Sequence, residues 1–265
     1  MVCLCVAKLW LMKNQIKFIQ VNIYKGKYMD SLVDFLNKEK PDIVAMQEVT
    51  AGEVNYFEDK TINTFEYIKE KTGLNGYFYG DLEFVDSSDS LFGNAVLTKH
   101  KPVDLKVLSL KKYRPLTLAE FEDSTIWPEI SRLAIDATVE IEGINVHAIS
   151  WHGAWTAPPA DTQETLRQAQ MVADYLKNLN EPFIVGVDIN NVPESRTVGI
   201  INSVANNLMA GAGVMQTTHP KLHKIAPRGY LVDYIFVSKD FKVVSLKVPQ
   251  VTISDHLPVV ATLEL

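Results

Sequence analysis

Polar side chains lie where several predicted β-strands of this 265-residue chain end. The set consists of Asn22, Glu48, His152, Asp188, Asn190, Asp233, Asp255 and His256. A single polar residue at a strand end usually caps a loop, but five strand ends with the same chemistry indicate a shared site. Carboxylate and amide oxygens are hard ligands that suit Mg²⁺, which takes one or two carboxylates and keeps several waters. The set has no thiol and few imidazoles, so it suits zinc and copper less well.

The six histidines differ in their predicted surroundings. His147 and His152 lie five residues apart on one predicted strand, so their side chains point to opposite faces. His152 lies at the strand end, where loops build sites, and is the candidate for function. His147 is predicted to lie on a structural face. We interpret His100, His219 and His223, which lie in loops, as solvated side chains.

Short segments rich in β-branched and aromatic residues predict the strands that position these groups. They are Ile16–Ile23, Asp42–Glu48, Gly93–Thr98, Arg132–Ile141, Ile144–Trp151, Phe183–Val187, Tyr230–Val237, Lys242–Val248 and Val259–Leu263. The alternation in Arg132–Ile141, followed by the turn at Glu142 and Gly143, predicts an antiparallel hairpin. A purely parallel Rossmann sheet therefore fits less well.

Helices are predicted between these strands at Met29–Lys38 and Thr61–Lys71, and a third begins at a capping box of Asp161 and Glu164. A long loop, Lys111–Pro128, suggests a functional segment or local disorder. This order predicts an α/β (α+β) fold. The expected architecture is a four-layer sandwich, in which two packed, mixed and mostly antiparallel β-sheets are flanked by helices.

The whole chain is acidic, with a formal net charge of −6. Its surface as a whole does not attract a polyanion, so nucleic-acid binding would need a local patch or metal ions. Cys3 and Cys5 are the only cysteines, and we expect them to be reduced thiols in a cytoplasmic protein. Residues 1–12 are expected to be a loose extension before a true start at Met12, with a short membrane-associating leader as the alternative. No stable membrane insertion is expected.

Six motifs occur in an order that resembles the endonuclease/exonuclease/phosphatase superfamily. They are VNI, QEV, SWHG, GVDINN, VDYIFVS and SDHLPV, with GNAVLTK and the pair Arg167 and Gln170 as lesser agreements. The resemblance runs from about Lys13 to Leu265. It implies the DNase-I-like fold, a single catalytic domain at residues 13–265, and a generic bacterial-type member without an assigned substrate.

The resemblance also implies a metal set. Glu48 would be the main Mg²⁺ ligand, Asn22 would lie beside it, and Asp255 would complete the acidic cluster. Mn²⁺ is an expected substitute. Many members carry Asp or Arg where this chain has Tyr24, so a second metal contact from that position is missing.

The remaining residues would act on the phosphate and the attacking water. Asp188 would orient or deprotonate the water, and Asn190 would hydrogen-bond the phosphate or the nucleophile. His152 and His256 would donate to phosphate oxygens, with Asp233 paired to His256. The usual GDxN appears here as GVDIN, so one extra residue separates Gly186 from Asp188. We interpret this extra residue as a register difference in the turn at the strand end.

The predicted activity is Mg²⁺-dependent hydrolysis of a phosphodiester by water, with nucleic acid or a small phosphodiester as substrate and a monomeric enzyme. The alternatives are a phosphomonoesterase for inositol or lipid phosphates and, from another class, a binding protein that kept this fold and lost catalysis. A third alternative is a protein without catalytic or binding function, in which these polar residues only cap strands and loops. This alternative accounts for each residue alone but not for the order of the motifs.

Several residues outside the motifs were weighed as substrate contacts. We interpret Trp127, Trp151 and Trp155 as core or loop cover rather than as stacking residues. Lys111, Lys112 and Arg114 are interpreted as a solvated loop. Tyr24, Lys25 and Lys27 are expected near the site rim.

Overall fold

A computed structural model describes residues 15–223 and 229–265, so the expected N-terminal extension lies outside the described residues. The strands are β1 (Gln15–Asn22), β2 (Ile43–Ala51), β3 (Asn75–Leu82), β4 (Leu91–Thr98), β5 (Pro102–Lys111), β6 (Arg132–Ile141), β7 (Ile144–His152), β8 (Phe183–Asp188), β9 (Asn206–Asn207), β10 (Asp233–Val237), β11 (Lys242–Lys247) and β12 (Val259–Glu264). The helices are α1 (Met29–Glu39), α2 (Thr64–Thr72), α3 (Leu118–Phe121), α4 (Gln163–Lys177) and α5 (Arg196–Asn202).

The strands form two six-stranded sheets with the same pattern of pairing. Sheet I has the order β11-β12-β1-β2-β4-β3, and sheet II has the order β5-β6-β7-β8-β10-β9. In each sheet only the central pair, β1 with β2 or β7 with β8, is parallel. A parallel pair needs a crossover, and α1 and α4 supply it.

Alternating side chains on the strands build separate apolar layers. On β1, Phe18 packs in the core between the sheets, whereas Ile19 and Val21 pack on the outer side with α1. Helix α1 buries Leu32 and Leu36, four residues apart, in that outer layer. Helix α4 covers sheet II in the same way. The predicted four-layer sandwich of two mixed sheets is therefore confirmed.

The predicted long loop is largely structured. Its centre forms α3, which begins with a capping box of Thr117 and Glu120. Leu116 and Phe121 are buried in a third apolar cluster, against Phe84 of the preceding segment. This packing fixes the loop beside the carboxyl end of β7.

The predicted capping box of Asp161 and Glu164 is wrong. Thr162 is the N-cap of α4, and its hydroxyl accepts from the N–H of Thr165. The carboxylate of Asp161 instead accepts from the first N–H groups of α5, at Arg196 and Thr197. A carboxylate favours the positive end of a helix, so Asp161 stabilises α5 rather than α4.

Two element boundaries also differ from the predicted ones. Helix α2 starts at Thr64, because the Asn63 side chain caps it by accepting from the N–H groups of Phe65 and Glu66. Strand β10 starts at Asp233 rather than at Tyr230. In the described parts of the chain no helix is long and apolar enough to cross a membrane.

Candidate active site

The carboxyl ends of the two central strand pairs meet at one edge of the sandwich. Asn22, His152 and Asp188 are the last residues of β1, β7 and β8. Asp233 begins β10, which is antiparallel to β8, so it lies directly opposite Asp188 in the register. His256 precedes β12, which is antiparallel to β1. The topology of both sheets therefore delivers these five side chains to the same edge.

Asp188 lies at the centre of this group. Its Oδ2 accepts from Asn22 Nδ2 at 3.1 Å and lies 3.7 Å from His152 Nε2 and 3.8 Å from His256 Nε2. Its Oδ1 accepts from the backbone N–H of Asn190 at 3.1 Å. The extra residue in GVDIN therefore does not move Asp188 away from the other motif residues.

Gly186 of the same motif packs directly against side chains of sheet I. A Cβ at this position would lie 2.6 Å from the Cβ of Ala45 and 2.7 Å from Oε1 of Gln20. Only glycine therefore lets β8 pack this near sheet I. This contact keeps Asp188 within hydrogen-bonding distance of Asn22.

Asp233 holds His256 across the gap between the sheets. The Nδ1 of His256 lies 2.8 Å from Asp233 Oδ2, and Asp233 Oδ1 accepts from Gln20 Nε2 at 3.3 Å. Gln20 is paired with Gln47, whose Nε2 donates to Ser150 Oγ at 3.0 Å. A buried polar layer therefore supports the site from below.

The two imidazoles of the site carry different charges at neutral pH. Burial opposes charge on His256, but the carboxylates of Asp233 and Asp188 outweigh it and raise its pKa well above the usual value. Burial, the Arg132 cation and charged His256 lower the pKa of His152 well below the usual value. His256 is therefore a cation and His152 a neutral imidazole.

Four non-glycine residues at the cavity adopt left-handed backbone conformations. They are Tyr24, Lys25, Glu48 and Asn190, with φ between 50° and 57°. At Glu48 the pairing of β2 with β4 shifts, so that Gln47 and Glu48 both oppose a single residue. Such a bulge re-aims a side chain. Such a backbone conformation costs about 1–3 kcal/mol per residue. At these four positions it sets the direction of a side chain that lines the cavity.

The donor set fits a divalent cation. Glu48 and Asp255 both line the cavity. Burial raises the pKa of Asp255, and the charge of Glu48 raises it further against the opposing effect of His256. Two acidic groups whose charges oppose each other stay ionised more readily beside a cation. Asn22 Oδ1 accepts one N–H, from Tyr24 at 3.0 Å, and keeps a second lone pair for a ligand.

In the described parts of the chain, two groups of three His, Asp or Glu residues have ligand atoms within 4.8 Å of one another, and neither contains Glu48. They are Asp188, Asp233 and His256, and His223, Asp255 and His256. His256 Nδ1 is engaged by Asp233, and the charged imidazole repels a cation. The oxygen donors Glu48, Asp255 and Asn22 would suit a divalent cation better than these groups.

His152, Asp188 and His256 lie on the floor of a cavity of about 260 Å³, whereas Asn22 and Asp233 are not among its lining residues. Its polar floor contains Glu48, His152, Asp188, Asn190, Asp255 and His256. Its wall is mostly aromatic, with Tyr24, Tyr56, Phe92, Phe121, Trp127, Trp155 and Ile130, and it also contains the polar residues Lys25, Glu122, Arg132 and His223. The sequence motifs located the floor, whereas most of the wall lies outside them.

Arg132 is a cavity residue that the motifs did not contain. It is buried, and its Nε donates to the carbonyl oxygen of Gly153 at 2.9 Å. Burial lowers its pKa to about 10, against the attraction of Glu48 and Asp188, so it stays charged at neutral pH. It is also a polar residue at a strand end, the amino end of β6, and this signal was available in the sequence.

The interpretation of His223 and His219 as solvated is wrong. His223 lines the cavity, and its ring centroid lies 5.3 Å from that of His256. His219 is only 9% exposed, and its N–H donates to the carbonyl oxygen of Asp255 at 2.7 Å. A short bridge between Thr218 and His256 draws this segment onto the site, and the sequence gives no signal for such a bridge.

His147 and Trp151 have the structural roles that were predicted. His147 Nδ1 lies 2.7 Å from Asp136 Oδ2, away from the cavity, and Trp151 is 1% exposed in the core. Trp127 and Trp155, by contrast, border the cavity as an edge-to-face pair.

The basic run does not line the cavity. Lys111 pairs with Glu129, and Arg114 pairs with Glu120. On α4, Arg167 bonds to Glu164 and to the carbonyl oxygen of Leu110, and Gln170 bonds to Asp174; neither residue lines the cavity. Tyr24 and Lys25 do line the cavity, as expected, and Lys27 Nζ lies 5.1 Å from the ring centroid of Tyr24.

A family profile described as the Endonuclease/Exonuclease/phosphatase family matches residues 19–256. The chain belongs to this family. No curated protein matches the sequence at a significant level. The fold of this family member is also found in solved structures that share little of its sequence.

Three such structures illustrate the likeness. An endonuclease/exonuclease/phosphatase from Bacteroides vulgatus is 20% identical, covers 96% of this chain and 100% of its own, and superposes with a TM-score of 0.73. A mannosyl-6-phosphatase from Bacteroides thetaiotaomicron is 15% identical, with 94% and 100% coverage and a TM-score of 0.70. TDP2 from D. rerio, complexed with a single-strand DNA product, is 15% identical, with 95% and 100% coverage and a TM-score of 0.69. At these identities the likeness shows the fold.

Proposed function

We propose that this family member is a Mg²⁺-dependent phosphoesterase that hydrolyses a phosphodiester by attack of water. The observation that carries the proposal is the convergence on Asp188. Asn22, His152 and His256 all reach its carboxylate, and the carboxylates of Glu48 and Asp255 line the same cavity.

Glu48, Asp255 and Asn22 would hold the metal. Bound Mg²⁺ would polarise a phosphoryl oxygen and offset the charge that develops in the transition state. Mn²⁺ prefers the same oxygen ligands and is the expected substitute.

Asp188 is the proposed base or orienting group for the water. Burial raises its pKa above that of an ordinary carboxyl, with Asp233 and Glu48 contributing against the opposing effect of His256. A base with a raised pKa holds an abstracted proton better near neutral pH. Asn190, whose Nδ2 donates to the Gly153 carbonyl at 3.2 Å, is held at the rim, where it would hydrogen-bond the phosphate.

The two imidazoles would share the stabilisation of the phosphoryl oxygens. The Nδ1–H of charged His256 donates to Asp233, so its Nε2–H is available to a phosphate oxygen. Neutral His152 would donate a single N–H. Removal of one such donor typically lowers the rate about 10²- to 10³-fold.

A phosphomonoesterase is the second candidate, because the cavity of about 260 Å³ is small enough for a compact phosphate ester. An inactive binding protein of this fold is disfavoured, since the chain keeps both the carboxylate pair and the Asp–His pair. We further propose a single catalytic domain at residues 13–265, a monomer and a cytoplasmic location. The last is supported only by the two cysteines, which we take to be reduced thiols.

Hydrolysis of bis(p-nitrophenyl) phosphate with and without Mg²⁺ or Mn²⁺ tests the proposal. We expect metal-dependent turnover that disappears in His256→Ala and in Glu48→Ala. His147→Gln, which changes an Asp–His pair outside the cavity, is the matched control and should keep turnover. Unchanged turnover in both site variants would refute the site assignment. Absence of turnover on any phosphoester, without Mg²⁺ binding in calorimetry, would favour the binding protein.

A further inference from the structure

The cavity has two chemically different halves. Its floor carries the carboxylates and imidazoles of the proposed phosphate site, and its wall is built mainly from aromatic rings. The floor has an assigned use in the proposed reaction, whereas the wall has none. A wall of this kind beside a phosphate site defines what the phosphate is attached to.

Two aromatic pairs from separate loops border the cavity. Trp127, before β6, and Trp155, after β7, lie edge to face with ring centroids 5.2 Å apart. Tyr24, after β1, and Tyr56, after β2, form a second edge-to-face pair at 5.3 Å. Both tryptophans are partly exposed, so ring surface is available to a ligand.

The wall is held in place by internal bonds. Trp127 Nε1 donates to the carbonyl oxygen of Phe121 at 2.8 Å, which orients the indole. Lys25 Nζ lies 3.0 Å from Glu122 Oε1, and also 4.4 Å from the ring centroids of Tyr56 and Phe121. These bonds join the segment after β1, which carries Lys25, to the segment before β6, which carries Glu122, in the free protein. A preformed surface loses less conformational entropy when a ligand binds.

Three polar residues of this wall, Tyr56, Lys25 and Glu122, already bond to one another. Tyr56 Oη donates to Glu122 Oε2 at 2.9 Å, and Lys25 bonds to both residues. A sugar or an inositol brings several hydroxyl groups, and each one that loses water without gaining a partner costs free energy. A flat aromatic ring needs no such partners and stacks on aromatic side chains.

The size of the cavity limits the ligand further. Its 260 Å³ lies just below the range of about 300–1,000 Å³ that is usual for small-molecule sites. It holds a phosphate and one ring system but not the body of a duplex. The net charge of −6 also disfavours a long polyanion over the whole surface.

We propose that Trp127 and Trp155 form a ring-binding subsite that selects phosphoesters carrying a nucleobase-type aromatic ring. The ligand is a single nucleotide unit, either free or at the end of a strand. This inference rests on the proposed function for the chemical step, but the subsite binds its ring independently of catalysis.

Adenosine 5′-monophosphate and ribose 5-phosphate are the probes, because they differ only in the base. Dissociation constants are measured by calorimetry in Mg²⁺ buffer. We expect the nucleotide to bind roughly five- to 150-fold more tightly, as stacking of one base typically contributes about 1–3 kcal/mol. Equal affinity for the two probes would overturn the proposal.

Variants locate the preference within the wall. Trp155→Leu should remove most of the nucleotide preference without changing the affinity for ribose 5-phosphate, whereas Trp155→Tyr should restore it. Tyr79→Leu, at an exposed aromatic residue outside the cavity, is the control and should keep the preference. A preference that survives both Trp155→Leu and Trp127→Leu in folded protein would overturn the assignment.

The two levels of the hypothesis can fail separately. Hydrolysis of bis(p-nitrophenyl) phosphate without any nucleotide preference would overturn the ring subsite and leave the phosphoesterase. A nucleotide preference without hydrolysis of any phosphoester would support the subsite and refute the catalytic proposal. A dinucleotide with a 5′-phosphate that binds as tightly as the mononucleotide would support the subsite and identify a strand end as the source of the ring.

Discussion

The Nδ1 atom of His256 lies 2.8 Å from Asp233 Oδ2, and this contact crosses from one β-sheet to the other. His256 precedes β12 of sheet I, whereas Asp233 begins β10 of sheet II. The charge of the proposed phosphate-binding imidazole therefore depends on how the two sheets are packed.

Asp233→Asn should lower kcat about 10²- to 10³-fold, because His256 loses the carboxylate that keeps it charged and oriented. The measurement is steady-state hydrolysis of bis(p-nitrophenyl) phosphate at pH 7, with folding checked by circular dichroism. Asp240→Asn, in the turn after β10, is the control and should behave as wild type. Full activity of Asp233→Asn would remove this pair from the mechanism.

Arg132→Met should weaken the binding of inorganic phosphate by at least about tenfold, because a buried charge contributes more than an exposed one. Calorimetry in Mg²⁺ buffer measures the dissociation constant. Arg167→Met removes an exposed arginine that pairs with Glu164, and it should leave phosphate binding unchanged. Equal binding by both variants would mean that Arg132 is structural.

At position 48, glycine should give a more stable protein than alanine, which is the reverse of the usual order. Because its φ is 55°, Glu48→Gly should be more stable than Glu48→Ala by about 1 kcal/mol in urea unfolding. Glu53, which does not have a positive φ, is the control, and there alanine should be at least as stable as glycine. The same order at both positions would contradict the strained conformation.

Sequence patterns predicted the floor of the site because strand order alone brings those residues together. Asn22, His152 and Asp188 end strands that the alternation of side chains revealed, and parity separated His152 from His147. The wall could not be predicted in this way. Trp127 and Trp155 lie in different loops, and their contact depends on how those loops pack.

Some elements of the fold lacked a sequence signal for physical reasons. Strand β5 is an edge strand with exposed Val103 and Val107, so its apolar pattern does not follow a simple alternation. Gln20 and Gln47 are polar residues inside apolar strands. Their partners are each other, from a neighbouring strand, and Asp233 and Ser150 of the other sheet, which are distant in the sequence.

His147 should make stability depend on pH. Burial opposes its charge, but the hydrogen bond and charge of Asp136, with help from Glu181, raise its pKa above about 6.5. Tyr175 also donates to Asp136 in this cluster. The stabilisation by the charged pair is therefore complete below pH 6.5 and is lost as pH rises through the folded-state pKa.

Urea unfolding of wild type and His147→Asn tests this sign. The difference in the free energy of unfolding between the two proteins should be larger at pH 6 than at pH 9. Comparison with the variant cancels the other titrating groups. A difference that grows with pH would contradict the raised pKa.

Gln20→Leu should destabilise the protein by about 1–3 kcal/mol, because Asp233 and Gln47 each lose a buried hydrogen-bond donor. In Gln20→Leu/Gln47→Leu the two losses should not add, since the residues are direct partners. Urea unfolding measures both, with Gln170→Leu on the exposed face of α4 as the control. Simple additivity would argue against a coupled pair.

The polar layer between the sheets has a further consequence for how accurately the molecule is assembled. Apolar side chains tolerate a small slide of one sheet over the other, whereas hydrogen bonds from Gln47 to Ser150 and from Gln20 to Asp233 do not. These hydrogen bonds therefore form in only one alignment of the two sheets. The candidate site, which is divided between the two sheets, is thereby set in place each time the chain folds, before any ligand arrives.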